Sequence, residues 1–254
     1  MFSLAGRKAL IVGIANDQSV AWGCAKALKE AGAELAVTYL NAKAEPHVRP
    51  LAEALGARVI APLDVTEEAQ IDALFDTLTA EWGQLDILLH SIAYCPKEDL
   101  HGRVTDCSRA GFQTAMDISV GSFLHLVRKS EPLMTAGGSC MTVSYYGAEK
   151  VVENYNVMGP VKAALESVTK YMAAELGEKG IRVNALSPGP LKTRAASGIG
   201  HFDDLLAQNA EKVPMHHLAT LDDVGAYAAF LASDGAKTIT GDVHYIDGGY
   251  HIVG

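Results

Sequence analysis

Two side chains that could do chemistry together, Tyr155 and Lys162, stand seven residues apart. On a helix turning about 100° per residue, that spacing returns to nearly the same face about 10 Å along the axis. Two long polar side chains can then reach different ends of one ligand. A lysine ammonium can hold the hydroxyls of a sugar, and a phenol can donate to an oxygen on which negative charge develops. Pro160 falls in the same run and removes a backbone donor, so it kinks the helix or marks its start. If Tyr155 lies ahead of the first helical turn, the shared-face argument weakens. Taken alone, the pair fits an amphipathic helix with a surface lysine and an interfacial tyrosine better than it fits an active site.

The elements around the pair supply the context. Short runs rich in Val, Ile and Leu at 9–12, 35–39, 58–62, 87–91, 139–144, 182–187 and 243–246 read as strands. Helical patterns at 19–31, 70–82, 109–134, 154–177 and 222–233 alternate with them, several followed or ended by glycine, as at Gly32, Gly83 and Gly177. Strands apolar on both faces suit a parallel sheet covered by helices. The expectation is an α/β chain with a single domain over residues 1–254, a doubly wound Rossmann-type parallel sheet of about seven strands. One segment, residues 187 to roughly 213, is long and loop-like; such an excursion beyond a strand's carboxyl end covers the ligand crevice of an open α/β sheet, so 188–213 is a candidate lid.

Three strand ends could face a dinucleotide. Beyond the first strand come Gly13, then Ser19, Val20 and Ala21. A glycine there lets the backbone approach a pyrophosphate, and the next helix offers its positive end. Ser19 could cap that helix and bond a phosphate oxygen; an ordinary strand–turn–helix with a serine cap fits the stretch equally. Asp64-Val65 follows the third strand, where a carboxylate can accept from an adenine amino group while Val65 packs on the ring; Asp64 could instead simply start the next turn. His90-Ser91-Ile92-Ala93 ends the fourth strand and, standing alone, would read as a buried strand end. Cofactor choice is set at Thr38-Tyr39-Leu40-Asn41, which holds neither the base of an NADP site nor the acid common in strict NAD sites. With Lys43 the closest base, a 2′-phosphate would be poorly compensated, which favours NADH over NADPH.

Composition removes other classes. The formal charge of −9 disfavours nucleic acid and anionic membranes as partners, and no run approaches the ~20 apolar residues of a membrane span. Cys24, Cys95, Cys107 and Cys140 form no Cys-x-x-Cys pair, and His216-His217 are adjacent positions that rarely converge on one ion, so no metal is expected. Reduced thiols and the lack of a secretory pattern at the start of the sequence lead to a cytoplasmic expectation.

In order along the chain stand Gly13, Ser19-Val20-Ala21, Asp64-Val65, His90-Ser91-Ile92, Tyr145, Asn154-Tyr155-Asn156-Val157-Met158-Gly159, Lys162, Arg182-Val183-Asn184-Ala185, Gly189-Pro190-Leu191-Lys192-Thr193, Ala195-Ala196-Ser197-Gly198-Ile199 and Asp247-Gly248-Gly249. Nearly end to end, this resembles the enoyl-acyl-carrier-protein reductases of bacterial fatty-acid synthesis, a divergent branch of the short-chain dehydrogenase/reductases. The resemblance implies NADH held by Gly13, Ser19, Val20, Leu40, Asp64, Val65, Ile92, Lys162, Leu191, Thr193 and Ala195. It implies an acyl site lined by Cys95, Tyr145, Tyr155 and Met158, with Tyr145, Tyr155 and Lys162 at the chemistry, and a homotetramer.

Typical members of the larger family carry Tyr-x-x-x-Lys with a serine thirteen residues earlier. Here those positions hold Met158 and Tyr145. Methionine cannot exchange a proton with an alcohol or ketone oxygen, so a carbonyl or alcohol oxidoreductase is the weaker reading. A non-catalytic dinucleotide sensor is a further rival, which retention of both Tyr155 and Lys162 disfavours. The expected reaction is hydride transfer to the β-carbon of a trans-2-enoyl thioester, with Tyr155 bonded to the enolate oxygen. One departure concerns the carrier: the family's basic short helix is here Gly200-His201-Phe202-Asp203-Asp204, whose carboxylates repel an acidic carrier protein. Docking then relies on Lys192, Arg194 or other bases, or the substrate is a coenzyme A thioester.

Overall fold

The computed structural model describes residues 3–191 and 212–253. Seven strands, β1 (Lys8–Val12), β2 (Glu34–Tyr39), β3 (Val59–Pro62), β4 (Ile87–His90), β5 (Gly138–Val143), β6 (Ile181–Pro188) and β7 (Val243–Ile246), form one parallel sheet in the order β3-β2-β1-β4-β5-β6-β7. The order reverses between β1 and β4, and that switch point opens a crevice at the strands' carboxyl ends.

Alternation within the strands builds two cores. Leu10, Val12, Leu88, Cys140 and Val183 face helices α3 (Glu68–Glu81), α5 (Arg109–Met116), α6 (Ser122–Ser130) and α7 (Met158–Leu176). Ala9, Ile11, Val37, Leu89 and Met141 face α1 (Val20–Glu30), α2 (Glu45–Ala54) and α8 (Leu221–Ala232). Neighbouring strand residues thus serve opposite faces, which is why the strands read as apolar throughout. Among the described residues no helix is long and apolar enough to cross a membrane.

Four local expectations are corrected. The run 109–134 is interrupted: α5 passes through a π turn at Asp117–Gly121 into α6, and a 3₁₀ turn at Glu131–Leu133 follows. The wide turn holds Ser119 against the backbone of Tyr94, and the first residue of α6, Ser122, meets His90, contacts invisible in the local pattern. Helix α2 was not expected, because Pro46 and Pro50 stand in it; Pro46 lies in the first turn, where no donor is needed, and Val48 and Ala52 anchor its inner face. Strand β6 runs to Pro188, pairing Ser187 with Tyr245 and Pro188 with Ile246, so the candidate lid starts beyond the strand. The rest of that segment, residues 192–211, lies outside the described residues.

The fourth correction bears on the chemistry. Helix α7 begins at Met158, not at Asn154. Asn154 (φ 62°) and Asn156 (φ 47°) adopt left-handed conformations, which asparagine tolerates and which no right-handed helix can contain. Tyr155 therefore sits on a turn, and the shared-face argument for Tyr155 and Lys162 does not hold in its helical form. Pro160 is third in α7, within the first turn, and causes no kink.

Candidate active site

Strand β5 delivers Ser144 and Tyr145 to the carboxyl edge of the sheet. Gly147 follows in a 3₁₀ turn, and the ring of Tyr155 lies on its backbone: a Cβ at Gly147 would stand 2.4 Å from Cδ1 of Tyr155. The rings of Tyr145 and Tyr155 meet edge to face with centroids 4.9 Å apart. Asn156 Nδ2 donates to the Leu100 carbonyl at 2.8 Å, tying the turn to the short helix α4 (Lys97–Leu100). The turn, not a helical face, fixes the position of Tyr155.

Both phenols are pushed up from their usual pKa, by burial first, then for Tyr145 by Tyr250 and for Tyr155 by Tyr145 and Glu166. They stay protonated, so each remains a donor. The Tyr145 hydroxyl is buried and has no partner among the described residues.

Lys162 is buried, and its ammonium donates to the Val143 carbonyl at 2.6 Å. Burial lowers its pKa to about 8, against an upward pull from Glu166. Among the described residues one of its three donors is engaged, which leaves two for a vicinal diol such as a ribose. The donor set fits a nucleotide sugar.

The phosphate end fits as well, though not as expected at every residue. Gly13 (φ 111°) stands at the switch point, where a Cβ would lie 2.1 Å from the Ser91 carbonyl oxygen. No side chain fits between β1 and β4, and the crevice floor is backbone. Ser19 is the N-cap of α1, but its hydroxyl makes no capping bond. It turns back to accept from the amides of Ala15 (2.9 Å) and Asn16 (3.0 Å) and donates to Asn16 Oδ1. That corrects the capping role and makes Ser19 the organiser of the loop. Val20 and Ala21 keep amides with no acceptor among the described residues, at the positive end of α1.

Asp64 Oδ1 accepts from the amide and hydroxyl of Thr66, so the residue does begin the next turn, and Oδ2 has no hydrogen-bond partner among the described residues. Leu40 is half exposed at the end of β2. There the structure brings in Arg49, whose guanidinium carbon lies 5.9 Å from the Tyr39 ring centroid. Sequence reading named Lys43 alone. Arg49 is bonded to Glu45 at 2.8 Å, so its charge is already matched. Val65, Ile92, Cys95, Tyr155 and Met158 pack against or within one apolar core; Leu191 belongs to the other. Thr193 and Ala195 lie outside the described residues.

Sequence reading missed Ser144 and Glu166, which share a 2.6 Å hydrogen bond. The signal was Glu166's place four residues after Lys162 on a helix. It also passed over the completeness of His90. Ser122 gives its only proton to the Ile118 carbonyl, so it accepts from His90 Nε2–H at 2.8 Å. His90 Nδ1 then accepts from Thr142 at 2.9 Å. Nothing takes a second proton, and burial lowers the imidazole pKa to about 3. Between pH 3 and 6.5 the unfolded chain holds a proton that the folded one lacks, so stability falls as pH drops through that window. Chemical denaturation at pH 4, 5 and 6 is expected to show wild type losing up to about 1.4 kcal/mol per pH unit more than His90→Gln; parallel curves for the two would refute the buried neutral imidazole.

Comparisons with known proteins meet this geometry. The family model described as enoyl-(acyl carrier protein) reductase matches residues 13–251. An NADH enoyl-[acyl-carrier-protein] reductase of Rhizobium meliloti is 48% identical, covering 98% of this chain and 92% of that protein. The corresponding enzyme of Aquifex aeolicus is 48% identical, over 99% and 93%. Among solved structures, the reductase of Anaplasma phagocytophilum in complex with NAD superposes with a TM-score of 0.95 at 49% identity, covering 99% of this chain and 96% of that one. The Bacillus cereus reductase, solved with NADP+ and an indole naphthyridinone, gives 0.97 at 42% identity over all of both chains. With a matching family model across nearly the whole sequence and relatives close to half identical, this chain belongs to the enoyl-acyl-carrier-protein reductase family.

Proposed function

We propose that this chain reduces the 2,3 double bond of trans-2-enoyl thioesters with NADH, on acyl carrier protein, in fatty-acid elongation. The observation that carries the reading is a buried ammonium, with two donors open among the described residues, tied to the last residue of β5, together with two protonated phenols in edge contact, one of which, Tyr145, closely follows that strand. The chemistry a bound NADH supplies is a hydride for the substrate's β-carbon. As that bond forms, charge moves onto the thioester oxygen, and the Tyr155 hydroxyl donates a hydrogen bond to it. Lys162 holds the ribose hydroxyls and adds positive potential to the same cleft. Tyr145, Met158 and Cys95 line the acyl channel. Met158 has no exchangeable proton, which separates this site from carbonyl reduction. The matched charge of Arg49 beside Tyr39 supports NADH over NADPH.

Four cysteines without disulfides fit a reducing compartment, and the proposal places the protein in the cytoplasm. It also makes the protein a homotetramer: Tyr171 on α7, Leu124 on α6 and Ile252 near the C-terminus are exposed apolar side chains suited to burial by further copies.

The test follows NADH absorbance with crotonyl-acyl-carrier protein and crotonyl-coenzyme A side by side. The expected result is faster turnover on carrier protein, with NADPH poorer than NADH. No oxidation of either nucleotide with either thioester would overturn the activity; preference for coenzyme A would overturn the carrier.

A further inference from the structure

Helix α7 sends two side chains, one turn apart, to consecutive residues at the end of β5. Lys162 donates to the Val143 carbonyl at 2.6 Å, and Glu166 accepts from the Ser144 hydroxyl at 2.6 Å. Adjacent residues thus anchor two heads of opposite charge, one buried and one half-buried, and Glu166 acts on Lys162 through space rather than as a contacting ion pair. The pair crosses from helix to strand, so neither side chain can swing away without breaking a short bond. Ser144 immediately precedes Tyr145, so this clasp also borders the phenols.

We propose that Glu166, tethered by Ser144, is a positioning residue that keeps Lys162 charged and aimed into the nucleotide crevice. This rests on the reading of Lys162 as the ribose-binding group. The physical need is plain: an ammonium taken out of water tends to lose its proton, and a nearby negative charge opposes that. Among the described residues Glu166 is the group that raises the Lys162 pKa, holding it at about 8 where burial alone would take it lower. Other charged or titratable groups facing the pair are Lys170 on α7, Glu149 after the 3₁₀ turn, Tyr145, Tyr155, Tyr245 on β7 and His90 on β4. Lys170 pulls the Glu166 carboxyl down and Glu149 pushes it up. Tyr145 and Tyr155 stay neutral because burial raises their pKa, as it does for Tyr245, which donates to Glu149. His90 is neutral above pH 3. None of these can substitute for the Glu166 charge at Lys162.

The test is the NADH dissociation constant, read by nucleotide fluorescence from pH 6 to 9, for wild type, Glu166→Gln, Glu166→Asp, Ser144→Ala and Lys162→Met. The wild-type affinity should fall through a midpoint near pH 8. In Glu166→Gln the midpoint is expected about one pH unit lower, while affinity at pH 6 stays close to wild type because the amine is protonated there in both. Ser144→Ala should move it the same way by less, and Glu166→Asp should recover part of the shift. An unmoved midpoint in Glu166→Gln, or a loss of affinity equal at pH 6 and pH 8, overturns the proposal and leaves Glu166 a packing residue. If Lys162→Met binds NADH as tightly as wild type at every pH, the assignment of Lys162 itself fails. Lys162→Met losing NADH while Glu166→Gln tracks wild type sinks the role of Glu166 alone.

Discussion

Tyr155→Phe is expected to lower the rate of NADH-dependent crotonyl-thioester reduction by about 10²–10³-fold, the usual cost of one oxyanion donor. The phenylalanine ring fills the same place on Gly147 and keeps its edge contact with Tyr145, so fold and pocket shape are preserved. NADH binding should scarcely change, because the proposed partner of the hydroxyl is the acyl oxygen and not the nucleotide. The loss therefore belongs in kcat, where an interaction made only in the transition state appears. Tyr145→Phe is the control. Its hydroxyl is buried and without a partner among the described residues, so its removal costs no existing bond and should affect turnover far less. Should the two variants exchange effects, the donor is Tyr145; should Tyr155→Phe turn over at the wild-type rate, no phenol on this turn is the oxyanion donor. Because burial raises both phenols, the wild-type rate should show no ionisation of tyrosine on the acid side of pH 9.

Lys162→Met is expected to weaken NADH binding by about 10- to 100-fold, the range for losing hydrogen bonds from a charged group. The same substitution has a stability signature of opposite sense. In the folded protein Lys162 has its pKa lowered to about 8 from 10.5, so between those values the unfolded chain carries a proton that the folded one does not. The sign follows: wild-type stability should rise as pH climbs from 8 toward 10.5, and this rise should be missing from Lys162→Met. Below pH 8 the buried ammonium is a burden on folding that methionine does not impose. Denaturant titrations at pH 7, 8.5 and 10 measure it. A variant that binds NADH poorly yet unfolds with the wild-type pH dependence would mean that Lys162 is not buried as a cation.

All seven strands were legible because strands in a covered parallel sheet are short, apolar on both faces and closed by glycine or charged turns. The sequence-based boundaries fall within two residues of the observed ones, at 9–12 for Lys8–Val12 and at 243–246 for Val243–Ile246. Helix α2 was hidden by Pro46 and Pro50, since propensity has no view of Val48 and Ala52 meeting the sheet. The start of α7 was misplaced because nothing in Asn154-Tyr155-Asn156 announces two left-handed residues; asparagine permits that conformation without requiring it. Tyr155 and Lys162 were singled out by type and order, although the helical geometry invoked for them does not hold. Contacts between distant segments stayed out of reach: Ser144 with Glu166, Ser122 with His90, Arg49 with Tyr39. Each joins polar groups whose partnership is decided by the crossing of elements, which local pattern does not encode.

The phenol rides on a turn and the ammonium on a helix, and that separation has an evolutionary corollary. On the proposed roles, lengthening or trimming the stretch between Gly147 and Val157 would shift the donor toward a longer or bulkier acyl group while α7, tied to Val143 and Ser144, kept the proposed ribose contact unchanged. Substrate range and cofactor grip can then diversify on separate schedules, one written in loop length and the other in the rigid frame.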